Sequence, residues 1–287
     1  MPIVRLLSIC IALHCWGLAA KHLWIELEIE SPVFSQLLFE WGWPERIAQS
    51  VDDWGMMIYF ASGLTIALAV HFDCRWFPVD HRFLTTHLRY FVLVPLVYIV
   101  IWHFFLTSAV WYRGSEYLAR WSFFDLDGWS IPLVFLSHAS RFAAPMVLII
   151  LLHQRLTGTR LVDWFLRVSA AATFLGHGIK AICGYGTYLD YLLMGAKRFS
   201  WDVSETLAHH LLWTIGWLDA AVALWVMVRP TRSPLVYMTI WAAIAAGSRV
   251  MHSGLEAYHE VLVRAPNYCV PLVLLLWLSR SNVVLKK

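Results

Sequence analysis

The chain has 287 residues, of which 60% are hydrophobic and 14% charged, and its mean hydropathy is +0.61. A soluble domain carries roughly 25% charged residues, so the composition excludes an ordinary soluble fold and describes a polytopic membrane protein. A net charge of +3 without a basic run excludes nucleic acid as a partner.

Apolar runs predict eight helices. The first, Val4–Trp24, has the outline of a signal peptide, with Arg5 before an apolar core and small residues at Leu18-Ala19-Ala20. A later counterpart in the chain favours a retained helix. The second runs from about Trp54 to Val70, the third from Arg89 to Val110 and the fourth from Ile131 to Leu152. The fifth covers about Trp164 to Gly184, the sixth Leu211 to Val228, and the seventh begins near Leu235. The eighth, Ala265 to Leu278, is short for a span of ~20 residues. Many of the 17 Trp and 11 Tyr fall at the ends of these runs, where amphipathic rings favour the membrane interface.

The eight runs read as two copies of four, residues 1–155 and 160–287, so the expected fold is an all-α membrane protein of two tandem four-helix bundles. Met57–Leu68 lies over Trp213–Leu224, Gly114-Ser115-Glu116 over Gly254-Leu255-Glu256, and Arg141 to Leu148 over Asn267 to Leu274 with Pro145 matching Pro271. Extra residues around Trp121–Ser130 belong to the first copy alone. Arg5, the arginines at 75–89, 155–167 and 229–232, and Arg280, Lys286 and Lys287 share one side. By the positive-inside rule both termini are cytoplasmic, as in a bacterial inner-membrane protein. The long outer links carry apolar segments at 33–41 and 188–194, each readable as a short amphipathic helix over its bundle.

Polar residues gather at the outer helix ends. Arg249, His252, Glu256 and His259 recur at steps of three and four, a spacing that puts them on one face of a continuous helix. With them come His177 and Lys180 late in helix five, His209 and His210 at the start of helix six, and Arg264 and Asn267 at the start of helix eight. The first copy offers His14, Lys21, His22, Asp52, Asp53, His103, Arg113, Glu116, His138 and Arg141. Ionisable groups at membrane depth tend to face a bundle interior. The candidate ligand-binding set is therefore His177, Lys180, His210, Arg249, His252, Glu256 and Arg264, in an outward-facing pocket of the second bundle.

The text Thr173-Phe174-Leu175-Gly176-His177-Gly178, followed by Ile215-Gly216-Trp217-Leu218-Asp219 and Val222-Ala223-Leu224, resembles the DoxX-like membrane family. The resemblance covers the second half and is fainter in the first. It implies a membrane-embedded four-helix unit linked to quinone or thiol redox systems. Doubling of the unit and the many histidines depart from that pattern.

Several chemistries are missing from the text. There are no repeated H-x-x-H-H boxes, no H-E-x-x-H and no G-x-S-x-G. Haem b fits by depth with His177 and His252 as metal ligands and Arg249 or Arg264 on the propionates; His14 with His103 plays that role in the first copy. A quinone or lipid headgroup asks only for His, Arg and Glu under an aromatic rim. His177, His210, His252 and Glu256 have the ligand types of an open zinc site, the basis of a membrane hydrolase. A non-catalytic subunit, with ion pairs that fix helix register and with membrane lipid and other membrane subunits as partners, is the competing class. Five cysteines without a C-x-x-C read as apolar fillers, with Cys183 and Cys269 close enough in depth to pair.

Overall fold

The computed structural model describes residues 2–25, 30–73, 81–118, 130–153 and 159–284. Among them the structure is entirely helical. Helix α1 spans Pro2–Ala20 and widens into a π-turn at Lys21–Ile25; α2, Pro32–Ser35, continues as a π-turn at Gln36–Glu40. Long helices follow at α3 (Glu45–Asp73), α4 (His81–Leu118), α5 (Ser130–His153) and α6 (Thr159–Ile182). The second half continues with α7 (Gly186–Arg198), α8 (Glu205–Val228), α9 (Arg232–Ser253), α10 (Tyr258–Val263) and α11 (Ala265–Val284).

A long helix stands over each of the eight predicted runs, and the last one extends to Val284. Among the described residues five helical segments are long and apolar enough to cross a membrane: Ile3–Ile25, Phe91–Trp111, Leu133–Leu152, Glu205–Val228 and Arg232–Ser253. Leu255–Val263 with Ala265–Ser279, bent by 47°, makes a sixth if the pair counts as one span. The chain is an integral membrane protein of all-α class. Both apolar link segments are helical, in the 32–40 segment and in α7.

Packing follows two matching rings. In the first half α1 packs on α3, α3 on α4, α4 on α5, and α5 back on α1; in the second α6 packs on α8, α8 on α9, α9 on α11, and α11 back on α6. The rings share walls, because α5 lies along α6 and α1 lies against α10 and α11. One apolar core therefore runs through both halves, from Leu7 and Ile11 through Leu148 and Leu166 to Val226, Leu235 and Leu274. Pro145 and Pro271 sit inside α5 and α11. A membrane helix tolerates such a proline when neighbouring helices satisfy the freed carbonyl.

Glycines set the closest approaches. A Cβ on Gly178 would lie 2.8 Å from the Gly216 carbonyl oxygen, and one on Gly216 would lie 2.6 Å from that of Gly178, so α6 and α8 meet backbone to backbone. Gly176 brings α6 equally close to α5, where a Cβ would stand 2.8 Å from the Ser137 nitrogen. His177 lies between these two glycines on α6, with its ring against Tyr188 of α7 and Asn267 of α11. The small-residue text that carries the family resemblance thus has a packing function. Gly17 does the same for α1, where a Cβ would approach the Val263 nitrogen to 2.5 Å.

Two expectations are corrected. Helix seven does not continue through Glu256 and His259: α9 ends at Ser253, and Gly254 takes φ +85°, a conformation open to glycine and strained for other residues. A short 3-10 turn, Leu255–Ala257, then leads into α10, so Arg249, His252, Glu256 and His259 do not share one helix face. Cys183 and Cys269 are both free, and Cys269 packs with Cys10 and Ala265 between α1 and α11. Cys74 and the insertion at 121–129 lie outside the described residues, as do the side chains of Arg113 and Glu116.

Candidate functional site

Because successive long helices alternate in direction, α1, α4, α6 and α9 finish where α3, α5, α8 and α11 begin. A cavity of about 500 Å³ opens at this end of the bundle. His138 and Arg141 reach it from α5, His177 and Lys180 from α6, Arg249 from α9 and Arg264 from the α10–α11 bend. Lys21 and His22 enter from the π-turn after α1, and Tyr185, Tyr188 and Tyr191 cover it from α7 and its start. The wider π-turn re-aims Lys21 and His22 without ending the helix, as such turns do at functional sites.

The electrostatics are lopsided. Five cationic side chains, Lys21, Arg141, Lys180, Arg249 and Arg264, face two carboxylates, Glu30 and Glu260. Glu260 accepts from Lys21 at 2.8 Å and from Arg264, so one carboxylate is shared by two of the cations. The other three cations meet neutral groups. Lys180 Nζ donates to Ser137 Oγ at 3.2 Å, and Arg141 Nη1 lies 3.1 Å from His138 Nε2. Arg249 donates to the Ala245 carbonyl and to Ser248 Oγ, and its guanidinium lies 4.6 Å from the Tyr191 ring centroid. The Nε–H groups of Arg141, Arg249 and Arg264 are buried without a partner.

The two histidines of α5 and α6 that line the cavity have defined neighbours. His177 Nδ1 lies 2.6 Å from the Tyr188 hydroxyl, and its Nε2 lies 3.5 Å from the Asn267 carboxamide. Burial pushes the Tyr188 phenol up to about 12, so the hydroxyl beside Nδ1 is neutral. His138 bonds Thr107 at 3.0 Å through Nδ1 and faces Arg141 through Nε2. Deeper still, His14, His103 and His138 form a row with ring centroids 5.1 and 5.3 Å apart. His14 Nδ1 donates to the Val263 carbonyl at 2.6 Å. The His14 and His103 rings touch edge to face, which leaves no slot between them for a porphyrin.

A second hollow, about 190 Å³ and mostly apolar, lies between α6, α8 and α9, lined by Phe174, Leu212, Ile215, Trp241, Ala242 and Ile244. It shares His177, Tyr188, Tyr191, Arg249 and Arg264 with the cationic cavity, so the two are continuous.

Four of the seven candidate residues, His177, Lys180, Arg249 and Arg264, line the cavity together. His252 lines neither hollow and packs edge to face on Tyr191 at 5.2 Å. His210 is exposed on α8, and Glu256 is exposed in the turn after Gly254. The four zinc-type residues are thus not gathered, and among the described residues no three His, Cys, Asp or Glu side chains are placed to hold a metal ion. Sequence reasoning missed the contribution of Ser137, His138 and Arg141 to the same cavity as His177, and it missed Glu260 and the tyrosines. The spacing Tyr185, Tyr188, Tyr191 was a usable signal, since steps of three keep residues on one side of a helix.

Comparison with protein-family models, with curated proteins and with solved structures finds no match to this chain.

Proposed function

We propose that this protein is an eight-helix membrane protein of two tandem DoxX-like four-helix repeats, with cytoplasmic termini, that binds a quinone- or lipid-type amphiphile. The single observation that carries the reading is the continuity of a cationic cavity with an apolar groove through His177, Tyr188, Tyr191, Arg249 and Arg264. An amphiphile needs both environments at once: a polar head surrounded by donors and a tail against apolar side chains. The groove lies at the lightly packed α8–α9 seam, which gives a membrane-borne tail a lateral way in. The DoxX-like resemblance ties such a ligand to a respiratory or thiol-redox system, and the distribution of arginines supports the orientation.

The test is lipid extraction and mass spectrometry of protein purified in nanodiscs, comparing wild type with Ala242→Trp, which fills the groove. The wild type is expected to retain a defined amphiphile that the variant loses while both remain folded. Retention of no amphiphile beyond the bulk lipid of empty nanodiscs would overturn the reading.

A further inference from the structure

We infer that the headgroup held in the cavity is a phosphate monoester or diphosphate, an inference that rests on the amphiphile reading above. The argument is one of charge and donor geometry. The lining carries an excess of three positive charges, five cations against two carboxylates. Glu260 pairs directly with both Lys21 and Arg264, whereas Arg141, Lys180 and Arg249 have no carboxylate within ion-pair distance among the described residues. Arg141 and Arg249 are each only 7% exposed, so bulk water does not screen them well. Buried like charges destabilise a fold unless an opposite charge joins them.

A neutral quinone ring would leave this excess in place. A phosphodiester brings one negative charge, and a carboxylate is satisfied by a single bidentate arginine. A phosphate monoester brings about −1.5 to −2 with three strong acceptor oxygens, and a diphosphate brings more. The three uncompensated cations come from three helices, α5, α6 and α9, and so approach one centre from different directions. That arrangement suits a tetrahedral anion with acceptors on every side. Each arginine has five donors and lysine three, and the Nε–H groups of Arg141 and Arg249 still lack partners. The neutral Tyr188 phenol beside His177 adds no competing negative charge.

The same headgroup could arrive on a lipid or as free diphosphate, and the test separates the two. Full-length protein in phosphatidylcholine nanodiscs is titrated with a prenyl diphosphate, the matching prenyl alcohol and inorganic diphosphate. The diphosphate lipid is expected to bind at least tenfold more tightly than the alcohol, with inorganic diphosphate competing weakly. Arg141→Gln, Lys180→Gln and Arg249→Gln should each lower diphosphate-lipid affinity tenfold or more, towards that of the alcohol. Lys180→Arg should restore most of it, which separates loss of charge from loss of fold. Without ligand, Lys180→Gln should melt at or above the wild-type temperature, because it removes a repelling charge; a merely structural lysine would give the opposite. Equal affinity for alcohol and diphosphate lipid would overturn the phosphate inference and leave the amphiphile reading standing. Binding of inorganic diphosphate alone would uphold phosphate recognition and overturn the amphiphile reading. Binding of none of the three would overturn both.

Discussion

The two halves use the same ring of helices but close it differently. Between α3 and α4 the seam is filled: Trp102 stacks on Tyr98 with centroids 6.1 Å apart, meets Phe105 at 5.8 Å, and lies so close to α3 that a Cβ on Gly55 would stand 1.9 Å from its ring. Tyr98 ties the same seam with a 2.8 Å hydrogen bond to the Gly55 carbonyl. Between α8 and α9 contact is slight, and the hollow lined by Ala242, Ala245 and Ala246 takes the place of the aromatic plug. Small residues on α9 leave a groove where a large residue on α4 leaves none. Two halves with the same packing order can thus differ, one a packed wall and the other open at its seam.

The sharpest way to break this comparison is to unplug the closed seam. Trp102→Ala removes a side chain only 9% exposed and should cost ~3–5 kcal/mol, as large-to-small core changes do. Thermal unfolding in detergent measures it; an unchanged midpoint would mean that the seam does not hold the first half together. Next in size is the α6–α8 approach. Gly178→Ala places a methyl group against the Gly216 carbonyl oxygen and should destabilise by ~1–3 kcal/mol. Gly247→Ala, on α9 with open space around it, should instead stabilise by ~0.5–1 kcal/mol through helix propensity. Equal effects of the two substitutions would argue against a glycine-dependent contact.

Filling the open seam tests the other side of the comparison. Ala242→Trp should weaken amphiphile retention about tenfold, or ~1.4 kcal/mol, and leave the melting temperature unchanged or higher. Full retention in that variant would mean that the tail does not lie between α8 and α9.

Much of this architecture was legible beforehand because membrane helices advertise themselves by apolar length, and charged residues advertise the end where they converge. His177, Lys180, Arg249 and Arg264 were readable as a group since each lies within a turn or so of a helix end on the same side. Three things were not legible. Gly254 reads like any small residue, yet its positive φ ends α9 and turns Glu256 away from the cavity. Arg141 and His138 sit far from His177 in the chain, and only the packing of α5 on α6 brings them into one site. The seam difference depends on which large side chain fits which gap, a property of three-dimensional packing that periodicity does not encode.

The smallest effects are expected where sequence periodicity put the most weight. His252 stands one turn after Arg249 but touches the cavity only through Tyr191, which it meets edge to face at 5.2 Å while the Arg249 guanidinium lies over the same ring. An exposed polar substitution away from buried features usually changes stability by less than ~0.5 kcal/mol, and His210→Ala and Glu256→Ala should fall in that range with ligand retention intact. His252→Ala should reduce retention by about tenfold at most, because an edge-to-face aromatic pair is worth only ~0.5–1.5 kcal/mol and the cation contact survives it. Tyr191→Ala removes the ring that both side chains share and should produce the larger loss, whereas Tyr191→Phe should keep the cation–π contact and the affinity. Retention assays on the three His252 and Tyr191 variants rank the two residues. If His252→Ala abolished retention and Tyr191→Ala did not, His252 would be a direct ligand-binding residue, and α9 would present its polar face to the cavity in the way the uninterrupted helix spacing predicts.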